Sequence, residues 1–425
     1  MKNILKISAL VLAVFFPWTE ACSCSSYKIT AHGKTMVGSN YDSWYVNPVI
    51  WFETNGYGAA FSGARREGEN AIAPQTGLNE YGLAFVTLSA PPVQGGFSAS
   101  EKKQITSRSE YLKSILHSCR TVEEVKTYID QYDHSTLFNE VILYTDSSGH
   151  YLVVEPYVLT LGGEPSYVLA NFCPSTITNF SEIKQARYVN GAAFARNKLD
   201  SSLAFCTAMS DTMHVCREKI GDGTLLTSIL DLQRGIIHLY FYHDYNHHAQ
   251  VNLRDELAKG EHRIEIASLF PVNEEYEKFL AFKTPGKSDT FNVFMYSCAG
   301  LFFLSGFIFG VSFFRSRGQK YRFVKLLIVP LCWIMCFYML VLLRNEGIFY
   351  FPAPYQDYTF SILNVAAYIP FLMLLLIAPI VRVNVKVFKQ GTWNSFSTYL
   401  LTINTVIYVV FIGLFAYWGL YNVFH

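Results

Sequence analysis

The sequence predicts an α+β globular domain followed by a four-helix, all-α membrane region, and three observations carry that prediction. The 425-residue chain is nearly neutral at +1, yet residues 291–425 hold 9 basic and 2 acidic residues while the first 290 hold the other 25 and 31. A mildly acidic part is thus joined to a basic, strongly apolar one. Between Ser25 and Tyr242, strand-like runs give way to helical ones and then return to strand, the order of sheets covered by helices. Beyond residue 290 lie four uncharged stretches long enough to cross a bilayer. With 51% apolar, 16% aromatic and 16% charged residues, the composition excludes a disordered chain, a collagen-like repeat and a disulfide-dense mini-protein. No basic stripe stands outside the apolar third, which argues against nucleic acid as a partner.

The chain opens with Lys2 and Lys6, an apolar run from Ile7 to Phe16, and Thr19-Glu20-Ala21-Cys22-Ser23-Cys24. This reads as a signal peptide over residues 1–23. Its apolar run is too short to span a bilayer, which takes about 20 residues. Ala21 and Ser23 have the spacing for a cut before Cys24; a cut after Ala21 would expose Cys22 instead. The exported domain is expected over residues 24–285. Within it, Ser25–Thr30 and Thr35–Asp42 form a hairpin around His32-Gly33-Lys34. Ile72–Leu88 holds two strand-like stretches around Asn79-Glu80-Tyr81-Gly82, whose Asn79 and glycine serve the turn. Ser107–Cys119 has helical periodicity, and Thr121 with Glu124 forms a capping box for the next helix. Val141–Thr145 and Tyr151–Glu155 make a hairpin over Asp146-Ser147-Ser148-Gly149. Tyr167–Ala170 reads as a strand, and Ile183–Asn197 and Ser201–His214 as helices. Thr224–Leu232 fits strand or short helix equally, and Ile236–Tyr242 is strand again.

Spanning helices are expected at about residues 291–314, 326–343, 360–381 and 397–420. Arg315, Arg317, Lys320, Arg322 and Lys325 lie between the first and second, and Arg382, Lys386 and Lys389 between the third and fourth. The middle loop holds Arg344 with Glu346 and Asp357. Lys/Arg excess marks the cytoplasmic side, so both basic loops face inward and residues 24–290 face the extracytoplasmic side of the cell membrane. The signal peptide demands the same orientation. Charge-free spans favour an anchor over an ion or proton path.

Of nine cysteines, Cys22 and Cys24 lie at the processing site, and Cys298, Cys332 and Cys336 in the spans. Cys119, Cys173, Cys206 and Cys216 remain in the exported domain, where Cys206–Cys216 is the first disulfide to expect among three full pairings. A cysteine freed at a new N-terminus is chemically special. Its thiol is the nucleophile, and its own α-amine, with a pKa near about 7.7–8, accepts the proton. Such a site needs a carboxylate to orient the amine, hydrogen-bond donors for the oxyanion, and a cation favouring the thiolate. His243, His247 and His248 lack a matching ligand spacing and read as a surface strand end, and Cys22-x-Cys24 has no second pair to make a zinc motif.

Cys24-Ser25-Ser26-Tyr27-Lys28-Ile29-Thr30, a turn, then Gly38-Ser39-Asn40-Tyr41-Asp42 resembles the start of the penicillin V acylase and choloylglycine (bile salt) hydrolase family of N-terminal nucleophile hydrolases. Gly77-Leu78-Asn79-Glu80-Tyr81-Gly82-Leu83 is similar to the family's Gly-Met/Val-Asn-Glu-x-Gly-Leu segment. Val168-Leu169-Ala170-Asn171 with Pro174, Gln185-Ala186-Arg187-Tyr188-Val189, and Thr227–Leu232 followed by Leu239-Tyr240-Phe241 and Asn246 resemble later segments in the same order. The resemblance covers about residues 24–255 and implies an αββα sandwich. It also implies roles: Cys24 as nucleophile and, through its amine, base; Asp42 holding that amine; Asn171 and the backbone N–H of Ser89 as oxyanion donors; Arg187 supporting the thiolate and Asp42. The implied activity is hydrolysis of a linear amide, with a small-molecule N-acyl amide as substrate and neither metal nor organic cofactor. Two departures stand out. Ser39 occupies the place of the family's Gly-Arg-Asn arginine, and the stretch from Asn171 to Arg187 is shorter than in bile salt hydrolases. Acyl transfer from the same site, and a non-catalytic receptor retaining the fold, remain the alternative expectations.

Overall fold

The computed structural model describes residues 24–43, 46–65, 72–91, 102–137, 139–197, 199–215, 223–350 and 362–422. The expected signal peptide, Cys22, Cys216 and Phe360 lie outside the described residues. The chain divides into two compact units, one of Ala21–Ala281 and one that includes Phe282–His425.

The first unit is built on two antiparallel sheets. Strands β1 (Ser25–Ala31), β2 (Lys34–Asp42), β3 (Asn47–Glu53), β4 (Ala59–Arg65), β5 (Thr76–Asn79) and β6 (Ala84–Ser89) come first. A two-residue parallel pair follows, β7 (Lys103–Gln104) and β8 (Tyr132–Asp133), flanking helices α1 (Arg108–Leu116) and α2 (Val122–Ile129). Then come β9 (Glu140–Thr145), β10 (Tyr151–Val154), β11 (Leu159–Gly162) and β12 (Ser166–Leu169). Helices α3 (Ala186–Asn197) and α4 (Leu203–Met213) precede β13 (Thr224–Asp231), β14 (Ile236–Phe241) and β15 (Ala249–Asn252). The unit closes with α5 (Leu253–Leu257), β16 (His262–Glu265) and α6 (Glu274–Ala281). One sheet runs β12-β1-β2-β13-β14-β15 and the other β11-β10-β9-β6-β5-β4-β3-β16.

Period-two alternation gives each sheet two faces. Tyr27, Ile29, Met36 and Ile229 of the six-stranded sheet pack with Ala195 of α3 and Cys206, Met209 and Met213 of α4. Phe61, Phe85, Ile142, Tyr144, Leu152 and Val154 of the eight-stranded sheet pack with α1 and α2. The opposite faces meet each other: Ile50, Ala60, Thr76 and Leu78 share a small internal cavity with Leu230 and Ile237 of the other sheet. The layers are therefore helices, sheet, sheet, helices, the αββα order that the sequence resemblance implies.

Local chemistry explains several of these elements. His32 and Gly33 both take positive φ (53° and 71°), the two-residue turn whose twist suits a hairpin, and Ala31 pairs with Lys34 across it. Thr121 accepts from Glu124 N–H at the start of α2, and Ser202 from Phe205 N–H at the start of α4. Asn79 uses all four of its hydrogen-bonding positions. Its Nδ2 donates to the carbonyls of Leu116 and Cys119, and its Oδ1 accepts from Tyr81 and Leu83 N–H. It therefore ties the β5–β6 turn to the end of α1, the structural role expected of it. Thr224–Leu232, which the sequence left open, is a central strand buried along its whole length, so its two faces show no polar alternation. Cys206 is a buried residue of α4 in the outer core, and its expected partner Cys216 lies outside the described residues.

Among the described residues, the second unit holds four helices long and apolar enough to cross a membrane: α7 (Asp289–Arg315), α8 (Arg322–Arg344), α9 (Ile369–Gln390, led in by a short helix at Ile362–Ala366) and α10 (Ser395–Tyr417). Two helices extend past their apolar stretches. Lys325, expected in a loop, sits buried in the first turn of α8, where Nζ donates to Ser312 and Gln319. Arg382, Lys386 and Lys389, also expected in a loop, occupy the last turns of α9. Asn404 on α10 donates to Ser305 Oγ of α7 at 2.9 Å, and Tyr408 Oη lies 3.4 Å from Cys332 Sγ of α8. Buried polar pairs of this kind hold membrane helices in register.

Candidate active site

Strand β1 lies between β12 and β2, and the two ladders locate the site. Ser26 pairs with Leu169 on one side and Ser25 with Asn40 on the other. Continuing each ladder to Cys24 sets it beside Asn171 and beside Tyr41, one residue from Asp42. On the far side of β2, Thr224 pairs with Asp42. Asn171, Cys24, Asp42 and Thr224 thus mark one end of four adjacent strands. Cys24 and Asp42 are both buried. Tyr27 faces the outer helices, so strand alternation directs Cys24 and Ser26 into the space between the sheets.

The other sheet reaches the same place through Ser89, the last residue of β6. Asn171 Nδ2 donates to Ser89 O at 2.7 Å, crossing from sheet to sheet. The β6 ladder shows where the Ser89 amide points. Ala90 N–H bonds to Asn139 O toward β9, and Thr87 N–H bonds to Gln75 O on the opposite side. Alternation therefore directs both N–H and C=O of Ser89 away from β9, beyond the first residue of β5. The carbonyl meets Asn171, and the N–H leaves the strand in the same direction.

Arg187 lies in the first turn of α3, half-buried. Two residues earlier, Gln185 Nε2 donates to Asn171 O at 3.1 Å, and Phe172 meets Tyr188 edge-on at 5.1 Å. These contacts pin the start of α3 to the segment that carries Asn171. Of the five residues expected from sequence, Asn171 and Ser89 are joined by a hydrogen bond, Cys24 and Asp42 lie at neighbouring strand ends beside them, and Gln185 links the start of the helix that carries Arg187 to Asn171.

Other residues of the matched motifs have structural partners. Asn40 donates to Ser210 O and accepts from Thr227 Oγ1, joining β2 to α4 and β13. Ser39 pairs with Ser26 and Ser228, so where an arginine would project, a row of three small hydroxyl residues lies across β1, β2 and β13. His243 is held at φ 46° at the end of β14, stacks on His214 at 5.9 Å, and lies 3.6 Å from Glu275. Among the described residues, the group of His, Cys and carboxylate atoms close enough to share an ion is Glu123, Asp146 and His150, and none of the three suspected histidines belongs to it.

The remaining described thiols of this unit compete poorly as nucleophiles. Burial pushes Cys206 up to about 12, burial and the Glu155 carboxylate push Cys173 to the same value, and burial raises Cys119. One residue escaped the sequence reading. Thr224 Oγ1 donates to Asp42 Oδ1 at 2.6 Å and accepts from Val215 N–H at 3.0 Å. Nothing in its sequence surroundings marks it, because its partner lies 182 residues away.

No protein-family model and no curated protein matches this sequence. Among solved structures, the chain is similar to a variant of the conjugated bile acid hydrolase from Clostridium perfringens, at 18% identity and a TM-score of 0.47 over 59% of this chain and 99% of that one. It is also similar to penicillin V acylase from Agrobacterium tumefaciens, at 14% identity and a TM-score of 0.45 over 57% and 91% of the two chains. At these identities and scores, neither likeness carries an activity or a substrate over to this chain.

Proposed function

We propose that this chain is an exported, membrane-anchored amidase whose mature N-terminus is Cys24. The observation that carries the reading is the alignment of the strand ends that hold Cys24, Asn171 and Asp42, with Ser89 bonded to Asn171 from the second sheet. In this mechanism the Cys24 thiol passes its proton to its own α-amine, and the sulfur attacks the amide carbonyl carbon. The oxyanion is met by the Asn171 side-chain amide and the Ser89 N–H. Asp42 holds the α-ammonium, and Arg187 favours the thiolate. Collapse breaks the C–N bond as the ammonium protonates the departing amine, leaving a thioester on Cys24. Water, deprotonated by the same amine, then releases the acid; an amine in its place would make the protein a transferase. No step draws on a metal or organic cofactor.

The membrane unit supports a substrate drawn from in or near the bilayer, an N-acyl amide with a long acyl chain. Both basic clusters flank the same ends of the helices, which supports the orientation with residues 24–290 outside. Sequencing the mature N-terminus, then assaying the purified protein on long-chain N-acyl amides, penicillin V and conjugated bile salts, tests the reading. Cys24 first in line, turnover that grows with chain length, and loss of turnover in Cys24→Ala are expected. An intact Met1, or indifference to chain length, counts against it. Ser39 favours a second reading, a receptor that keeps the fold without turnover. A thiol that cannot be alkylated at Cys24 near neutral pH would support it.

A further inference from the structure

A carboxylate that must hold an ammonium has to be fixed in rotation and kept charged, because a freely turning group presents its oxygens in the wrong direction most of the time. We propose that Thr224 is the positioning residue for Asp42, holding its carboxylate in the one orientation that receives the Cys24 amine. This rests on the N-terminal nucleophile reading above.

Three observations carry it. The Thr224 Oγ1 to Asp42 Oδ1 distance of 2.6 Å lies in the range of charge-assisted O–H···O⁻ bonds, and both residues are fully buried. A hydroxyl has one proton to give. Val215 N–H donates to Oγ1 at 3.0 Å, so that oxygen acts as acceptor there and commits its proton to Asp42. Backbone bonds lock the same pair of residues, with Thr224 N–H donating to Val215 O at 2.8 Å. Finally, the β13 ladder slips by one residue between Thr224 and Leu226, which pair with Asp42 and Tyr41. In unbroken register Leu225 would stand opposite Asp42, and a leucine has no proton to offer. The bulge replaces that leucine with a hydroxyl, the re-aiming of a side chain for which such irregularities serve.

Several ionisable groups among the described residues lie near Asp42. Tyr245, bonded to Thr227 and Ser210, is kept neutral by burial and by the nearby Asp42 and Asp211 carboxylates. Beyond Val215 stand His214 and Asp211, themselves paired at 3.1 Å. Cys24 stands at the neighbouring strand end, and Arg187 belongs to the same proposed site.

The test is the rate at which iodoacetamide alkylates Cys24 in the full-length mature protein, followed across pH. In Thr224→Val the rate near neutral pH should fall about ten- to hundredfold, the loss of one hydrogen bond to a charged group. The acid limb of the profile should move upward by about one pH unit, because a carboxylate that loses a donor keeps its proton to higher pH. Thr224→Ser should restore both. In an Asp42→Asn background the valine change should add less than about twofold, since the two act as one unit. A valine variant with an unmoved acid limb and a rate within about twofold of the parent would overturn the assignment. So would a serine variant that shares the valine defect. Thr224→Ala makes the same comparison if the valine variant does not fold. A parent protein that resists alkylation at Cys24 refutes the nucleophile itself and this role with it, whereas labelling that ignores Thr224 refutes the role alone.

Discussion

Replacing Asn79 by alanine removes four hydrogen bonds at once, and the structure allows the cost to be worked out. Tyr81 is exposed, so water can take over its N–H. The carbonyls of Leu116 and Cys119 and the N–H of Leu83 belong to buried residues of the turn and of the end of α1. Each buried group left without a partner costs about 1–3 kcal/mol, and partial relaxation toward solvent favours the lower half of that range. The sum is about 3–6 kcal/mol, which in a unit of this size corresponds to a melting shift of roughly 6–24 °C. Thermal unfolding of the full-length protein in detergent measures it. Asn79→Asp should do no better, because a carboxylate would face the same two carbonyls without a proton to give. Cys24 alkylation measured well below the melting point should be unchanged, since Asn79 lies in the turn and not at the strand end that carries Cys24. A melting shift under about 3 °C would refute the view that this asparagine holds the turn to the helix.

Two more outcomes follow from other contacts. Burial pushes the Glu53 carboxyl up, but hydrogen bonds from His117, Lys113 and Trp51 outweigh it and hold the group at about 2, while Glu53 in turn raises His117. The Glu53 contribution to stability is complete above its ordinary value of 4.5 and is lost as pH falls toward about 2; the His117 contribution is complete below its ordinary 6.5 and is lost as pH rises through its higher folded value. The melting difference between parent and Glu53→Gln should therefore be greatest between pH 4.5 and 6.5 and shrink toward pH 9; a flat difference would contradict the pairing. In the membrane unit, Asn404→Ala should weaken the α7–α10 contact by about 0.6–1.7 kcal/mol, measured by unfolding in mixed micelles of increasing SDS content; no change would mean that Ser305 and Asn404 do not share a bond in the bilayer.

Much of the strand and helix order was legible because it rests on local signals, while the αββα layering came from the family resemblance. The His32-Gly33 turn, the Thr121 cap and the Asp146–Gly149 turn each announce themselves within a few residues. Strands β3 and β4 did not. Asn47–Glu53 contains Pro48, and Ala59–Arg65 is rich in small residues, so their strand character comes from pairing inside the eight-stranded sheet. β13 was ambiguous because a strand covered on both faces loses its alternation. At the candidate site, Cys24, Asp42, Asn171, Ser89 and Arg187 could be named from the family resemblance, whereas Thr224 could not. Its value depends on one extra residue in a ladder between distant segments, and no window of sequence displays that. The helix ends erred for a related reason. Charge stops an apolar count, but it does not stop a helix whose charged side chain finds partners, as Lys325 does at Ser312 and Gln319.

The Asn171–Ser89 bond joins groups that belong to different sheets. In the proposed reaction the Asn171 side-chain amide and the Ser89 N–H receive the same developing negative charge, so their spacing depends on how one slab of strands is seated on the other. The seating is set by the apolar half of the interface, where Leu230 and Ile237 meet Ile50 and Leu78. Core substitutions there would act as a vernier on turnover: slippage of one sheet on the other would pull the donors apart while the chain remained folded.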